Sequence, residues 1–482
     1  MRPSSRINRA TVGFLALTRQ SFVSLQTFMD NFPSFAQGDG IMSGCAVQGP
    51  RGEALLGSCG DRSDATTQAQ AQSQRTVEDN GSDDIAVTKE MTNANRTGNA
   101  LSHRWPFLYA AVLLGMVGWL NLITADDRQY SRLAESFLEG RLSLLPTALN
   151  SWADTAPFQG HHYSPFGPLP AVLIMPLVWL GYYHQGLLSF VVSLAVFYLC
   201  FRLARTVKYS ANEALWFALA FCFATSFIGV AALACSTFFA HVLAVMFLFW
   251  AIHEYEGSRR LWLIGGLIGL AMATRAPAGL GILLFILALA FGVEPMPSRL
   301  TGLLKLLLPF TAVAALLALY NFVRFENPLE AGYTYQLNGF GVPYANWHVP
   351  GNTAGPPFSF SNIPNHLWIF LFGLPSAAAI GSSVLLMSPF LGYLMFVRDW
   401  DFTRKLIVLN VVVVLLVVLA FRSTDFEQVG YRFSLDFLPF VFWLMMRSQI
   451  ELTNRFKALI GLSTGIDVML TLFFMASWID RR

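Results

Sequence analysis

From residue 105 to the C-terminus, apolar runs follow one another with only short polar breaks, and this succession limits the possible folds more than any other feature. A lipid bilayer offers the backbone no hydrogen-bond partners, so each run of about 20 apolar residues reads as a spanning helix that satisfies its own amides. The runs fall at residues 105–123, 185–203, 212–232, 239–253, 261–274, 277–292, 303–322, 377–397, 405–421, 433–447 and 457–477. Four of them fall short of the ~17 residues that a spanning helix needs. The predicted fold class is therefore an all-α polytopic membrane protein of about eleven transmembrane helices. Composition agrees: 54% of residues are hydrophobic and 13% charged, about half the charged share of a soluble domain. A net charge of +3 says little about partners, and no basic block points to a nucleic acid, so none is expected. The five cysteines form no CxxC pair. Cys200, Cys222 and Cys235 lie in or beside apolar runs and read as small hydrophobes.

Residues 1–104 have the opposite character. They are rich in Ser, Gly, Gln, Asn and Thr and include the run TTQAQAQSQ. Such a segment buries too little apolar surface to offset the entropy of ordering it, so it is expected to be a disordered cytoplasmic tail. Met91, just upstream of the first apolar run, would serve as an alternative start. The chain thus divides into a tail, 1–104, and a membrane domain, 105–482.

Lys and Arg in short loops mark the cytoplasmic side. Arg202, Arg205 and Lys208, then Arg259 and Arg260, Arg299 and Lys305, Arg398, Arg404 and Lys405, and Arg447, Arg455 and Lys457 all share one side if residues 168–183 do not cross. That segment, PLPAVLIMPLVWLGYY, carries Pro168, Pro170 and Pro176 and reads as an interfacial or re-entrant helix. The two longest loops, 124–184 and 323–376, then face outward together.

The first loop opens on adjacent carboxylates, Asp126 and Asp127, which read as a catalytic base with a helper or as solvated residues at a helix end. A segment follows in which Tyr130, Leu133, Phe137 and Leu138 share one helical face, as in a helix lying in the interface. His161 and His162 make, with Asp154, a loose metal set; beside Tyr163 they suit hydrogen bonding to a sugar or headgroup better. The second loop is dense in Tyr, Trp and Asn, including Tyr333, Tyr335 and Gln336. These suit a sugar ring, and equally an aromatic belt at the membrane surface. Arg275 interrupts an apolar hairpin before Pro277; it would grip a phosphate or snorkel to the interface. Arg324 and Arg432 are further candidates for the phosphate, although the i, i+4 spacing of Arg432 and Asp436 also fits an ion pair. Asp467 is an acid within the last run, with no evident partner. Gly265 and Gly269 have the spacing of a helix-packing contact.

Several phrases, taken in order, resemble the GT-C integral-membrane glycosyltransferases, in particular the protein O-mannosyltransferase and lipid A aminoarabinose transferase type. These are the carboxylate pair after the first run with the following FLEGRLSL, then HHYSPFGPLPAVLIMP, GLAMATRAPAGLGILL, LYNFVRFENPLEAGYTYQ and GYRFSLDFLPF. The resemblance covers roughly residues 105–447 and implies juxtamembrane helices in a large first external loop. It implies a donor sugar on a polyprenyl phosphate and a lipid, glycan or protein acceptor, meeting at the outer face of a bacterial inner membrane. Transfer would be an inverting displacement, with Asp126 as the base and Asp127 assisting, orienting it or holding a divalent cation. Tyr130, His161, His162, Tyr163, His241, Arg275, Arg324, Tyr333, Tyr335, Gln336 and Arg432 would bind substrate. One departure is His241, which stands where many such enzymes carry an acid and puts a two-loop carboxylate metal site in doubt. Two other readings stay open: a transporter or flippase of lipid-linked solutes, and a non-catalytic assembly protein of the same fold. The spans show no internal repeat of the kind common in transporters.

Overall fold

The computed structural model describes residues 105–124, 128–145, 154–293, 295–338, 341–346, 354–373, 383–424 and 428–479, all within the compact unit Asn99–Arg482. The expected tail, 1–104, and the carboxylates Asp126 and Asp127 lie outside the described residues.

Helices dominate. In chain order they are α1 (Trp105–Ile123), α2 (Gln129–Leu138), α3 (Leu169–Trp179), α4 (Gly186–Thr206), α5 (Ala211–Phe223), α6 (Phe227–Ala231), α7 (Ser236–Glu256) and α8 (Leu261–Thr274). A 3-10 segment, Ala276–Gly281, leads into α9 (Ile282–Ala290). Then come α10 (Met296–Phe325), α11 (Ile363–Phe372), α12 (Val384–Met387), α13 (Phe402–Ala420), α14 (Leu438–Arg447) and α15 (Asn454–Ile479). One two-stranded ribbon, β1 (Ala156–Phe158) and β2 (His161–Tyr163), interrupts the all-α pattern. Its antiparallel register pairs Ala156 with Tyr163. Gln159 and Gly160 both have positive φ, 48° and 79°, the backbone of a two-residue I′ turn whose twist matches that of the strands.

Among the described residues, six helices (α1, α4, α7, α10, α13 and α15) are long and apolar enough to cross a membrane, and the protein is an integral membrane protein. Five further apolar helical segments of 10–17 residues accompany them. The run at 239–253 lengthens to the 21 residues of α7 because its polar end is paired: Glu254 holds Arg260 at 2.8 Å, and Glu256 accepts from Trp443 and Arg447. The run at 212–232 is interrupted where the Thr225 hydroxyl donates back to the Phe221 carbonyl and accepts from the Phe227 amide. In 377–397, the described part is α12 followed by a 3-10 run, Pro389–Phe396, in place of one regular helix. Pro389 has no amide hydrogen to continue α12.

Helix α7 is apolar all round and buried along nearly its whole length, so it forms the centre of the bundle. By contrast, α10 turns Leu300, Leu304, Leu308, Leu316 and Leu319 outward, as a lipid-facing helix does. Where α8 and α10 cross, a Cβ on Gly265 would sit 1.8 Å from the Leu306 carbonyl oxygen, and one on Gly269 would sit 3.1 Å from Val313. The two glycines are packing residues. Helix α3 contains Pro176, is too short to span, and packs along α2. It is brought close to α8 by Gly167, whose Cβ would lie 2.3 Å from the Ala273 carbonyl oxygen. On α2, Tyr130, Leu133 and Ala134 are buried, while Leu138, expected on the same face, is exposed at the helix end.

Several of the basic loops gather at one end of the bundle. Arg404 donates to the Arg447 carbonyl, Arg447 reaches Glu256 and Asp401, and Gln449 donates to the Val207 carbonyl. Asp467 is fully buried on α15, on one face with Ser463 and Thr471, and neither of its carboxylate oxygens has a hydrogen-bond partner among the described residues.

Candidate functional site

A cavity of about 920 Å³ opens where the two long loops meet the helices. Its loop side is built by backbone pairing between segments far apart in sequence. The Asp154 amide donates to the Leu337 carbonyl (3.0 Å) and the Leu337 amide to the Thr155 carbonyl (2.8 Å). Gln129 at the start of α2 donates to the Asp154 carbonyl at 2.8 Å. Asp154 lines the cavity with φ of 55°, a left-handed conformation uncommon for a residue with a side chain. Its Oδ1 accepts from Gln336 Nε2 (3.1 Å) and the Tyr344 hydroxyl (3.2 Å). Burial, and then the Asp154 carboxylate, raise the Tyr344 phenol above its usual range.

Three arginines face the same space. Arg422 leaves the end of α13 where 420–422 pairs with 357–359: Phe358 bridges Phe421, and the Arg422 amide donates to the Pro357 carbonyl. Its guanidinium donates to the Tyr333 carbonyl (2.8 Å) and lies over the Tyr344 ring. Arg432 donates to Thr237 Oγ1 (3.2 Å) and stacks over Phe238. Arg275, in the break between α8 and the 3-10 segment, grips Asp436 with both prongs, at 2.8 and 2.9 Å. The Arg432–Asp436 ion pair that the spacing suggested is therefore replaced by Arg275–Asp436. The reason is local: Arg432–Asp436 is a 3-10 helix, in which residues i and i+4 point about 120° apart. Phe166, Leu233, Phe238, Leu329, Val417 and Phe474 supply an apolar lining beside this polar one.

Of the residues singled out from sequence, Tyr130, Arg275, Tyr333, Gln336 and Arg432 come together around the cavity. Tyr130 is buried between the Phe166 and Phe239 rings, each 6.3 Å away. Asp154 lines the cavity too, whereas His161, His162, Tyr163, His241, Arg324 and Tyr335 are not among the lining residues. His161 is exposed on β2. His162 shares a 3.0 Å hydrogen bond with Thr155 Oγ1, and burial lowers its pKa. Tyr163 and Tyr335 pack on Phe325, at 5.3 and 5.9 Å. Arg324 is a fastener: it donates to the Ser164 carbonyl (2.6 Å) and Asn321 (2.7 Å) and lies over Tyr320. His241 is fully buried one turn beyond Thr237, 5.8 Å from the Phe433 ring, and neither ring nitrogen has a hydrogen-bond partner among the described residues.

The divalent cation that the resemblance allows would be held by Asp127, which lies outside the described residues. Among the described residues, no three His, Cys, Asp or Glu side chains are gathered as a metal site. Sequence reasoning passed over Arg422, Tyr344 and Glu330, and used Asp154 only as a loose metal ligand. For Arg422 a signal existed, since an arginine directly after a strongly apolar helix must find a partner or a wet cavity.

No family profile matches the chain, and no curated protein matches it in sequence. Among solved structures, the crystal structure of ArnT from Cupriavidus metallidurans bound to undecaprenyl phosphate is similar, with 16% identity and a TM-score of 0.44 over 73% of this chain. The match spans 61% of that protein's length.

Proposed function

We propose that the protein is a membrane glycosyltransferase of GT-C type, with about eleven spans in all, which moves a sugar from a polyprenyl-phosphate donor to a lipid, glycan or protein hydroxyl. The observation that carries this reading is the cavity's mixed lining. Arg275, Arg422 and Arg432, a carboxylate–amide–phenol group (Asp154, Gln336, Tyr344) and an apolar surface all border it, with the Arg422 guanidinium 5.3 Å from the centre of the Tyr344 ring. Guanidinium groups suit a phosphate, hydrogen-bonding groups suit a sugar, and the apolar surface suits the start of a prenyl chain.

In the transfer, the acceptor oxygen bonds to the anomeric carbon as the bond from that carbon to the phosphate oxygen breaks. The acceptor's proton passes to a carboxylate, and the polyprenyl phosphate leaves with both electrons of the broken bond. Asp126 is the proposed base and Asp127 its partner. Tyr130, three residues beyond Asp127, lines the cavity, which supports a short tether between the pair and the reacting centre. The arginines stabilise the charge that builds on the departing phosphate. The site would face the outer side of a bacterial inner membrane, away from the basic loops.

The test is sugar transfer in proteoliposomes, with a panel of polyprenyl-phosphate sugars and total membrane acceptors. Product from the native protein that disappears in a folded Asp126→Asn, Asp127→Asn variant is the expected result. Donor binding without product from any donor would instead favour a carrier of lipid-linked solutes.

A further inference from the structure

We infer that Leu329, Phe358 and Phe360 form an apolar sill at the mouth of the cavity that is seated in the bilayer. The partner of this part of the second long loop is then the boundary between headgroups and acyl chains in the leaflet on the loop side. Such a seat does not depend on what the cavity binds, and so goes beyond the donor reading.

Leu329 is 89% exposed, Phe360 86% and Phe358 51%. Single exposed apolar residues are ordinary on any protein. These three are set apart by where the chain fixes them. Leu329 and Phe358 both line the cavity, and Phe360 opens the 3-10 turn Phe360–Asn362 just beyond. Their height is set by the ends of two spans. Asn321, in the last turns of α10, donates to the Pro328 carbonyl (3.3 Å), and the Leu329 amide donates to Asn327 Oδ1 (3.0 Å). The chain thereby folds back over the end of α10 and holds Leu329 there. At α13, the Ser359 amide (2.8 Å) and Asn362 Nδ2 (3.2 Å) both donate to the carbonyl of Ala420, the last residue of the helix. The Arg422 amide donates to the Pro357 carbonyl at 2.9 Å. Phe358 and Phe360 are thus pinned where α13 ends. Outward apolar side chains continue to the last turn of α10, through Leu319, Phe322 and Val323, and Leu409, Val412 and Leu416 face out along α13. The sill prolongs these lipid-facing surfaces, and that continuity selects lipid over a protein partner. Its polar groups also suit a medium with few hydrogen-bond partners. Pro328, Pro356, Pro357 and Pro364 carry no amide hydrogen, and the Ser359 and Ser361 hydroxyls bond to each other at 2.7 Å. Phe358 packs 5.4 Å from Phe421, which lines the cavity, so the apolar part of that lining adjoins the acyl chains directly.

The experiment places the photoreactive residue p-benzoylphenylalanine at Leu329, Phe358 or Phe360 of the full-length protein. Each variant is set in nanodiscs of phosphatidylethanolamine and phosphatidylglycerol and checked for folding by thermal unfolding. Leu308, on the lipid-facing side of α10, is the positive reference, and Lys208, in a basic loop, is the aqueous one. After irradiation, mass spectrometry reads the share of protein that carries an added phospholipid. Leu329 and Phe360 are expected to give lipid adducts within about threefold of the Leu308 yield and at least about tenfold above that of Lys208, as befits side chains held about 5–10 Å into the boundary between headgroups and acyl chains. Both side chains are nearly free of packing, so the substitutions leave the fold intact; Phe358 supplies the reading if either variant does not fold. A yield at either position nearer to that of Lys208 than to that of Leu308 would put the sill in water. Cross-linking to a second copy of the chain in place of lipid would make it a protein interface. Either result overturns the inference, and neither bears on the donor reading, which the sugar-transfer assay tests.

Discussion

The Arg275–Asp436 pair allows structural and ligand roles to be separated by measurement. Asp436 is 1% exposed and is met by both prongs of the guanidinium, at 2.8 and 2.9 Å. Arg275→Met strips the carboxylate of its counter-charge in a buried setting, which costs about 3–5 kcal/mol. Asp436→Leu strands the arginine and should cost a comparable amount. The double variant, Arg275→Met with Asp436→Leu, removes both charges and replaces them with groups of similar volume; such exchanges range from neutral to stabilising, so a net cost below about 2 kcal/mol is expected. The coupling energy from the four proteins is then at least about 4 kcal/mol. Reversible unfolding in mixed micelles gives these values. The affinity for polyprenyl phosphate should behave differently: the double variant recovers stability yet binds at least tenfold more weakly, because Arg275 also lines the cavity. Single variants costing less than about 1 kcal/mol, or strictly additive costs, would refute the reasoning from buried pairing.

Three further outcomes can be checked with the same unfolding assay. Gly265→Ala drives a Cβ to within 1.8 Å of the Leu306 carbonyl oxygen and should cost about 1–3 kcal/mol as α8 and α10 separate; Gly269→Ala, 3.1 Å from Val313, should cost less. Asp467→Leu should stabilise the protein by about 1–3 kcal/mol, because the carboxyl is buried with neither oxygen hydrogen-bonded among the described residues. His162 has a folded pKa below its unfolded value of about 6.5, owing to burial. The unfolded chain therefore takes up the proton first, and the stabilising contribution of His162 is complete above pH about 6.5 and falls away as pH drops below it. His162→Gln should flatten that part of a stability–pH curve.

The spanning helices were legible because hydrophobicity is carried by the residues themselves. That 168–183 forms no regular spanning helix was legible through its three prolines, and α3 is 11 residues long. Helix lengths were less legible where polar residues at an end are satisfied from elsewhere, as Glu254 and Glu256 are at the end of α7. At the site, Arg275 and Arg432 stood out as ionisable groups among apolar ones, and both line the cavity. Arg422 did not stand out, because an arginine at the end of a span also looks like one reaching for the interface. The fate of His162 depends on the ribbon, where it meets Thr155, and that of Tyr163 on Phe325, which belongs to α10 about 160 residues away; no local pattern contains that second contact. The Arg432–Asp436 spacing misled because the segment winds as a 3-10 helix.

The bonds between Asp154, Thr155 and Leu337 make the two long loops behave as neighbouring strands, although about 180 residues separate them. A growing chain that has reached only α10 lacks Gln336, Tyr344, Arg422 and Arg432, so the cavity is completed late in synthesis, after most of the helices are in place. The same bonds tie the loops in evolution and in engineering. Exchanging one loop for that of another protein would break the Asp154–Gln336–Tyr344 cluster, whereas exchanging both together would carry it over whole.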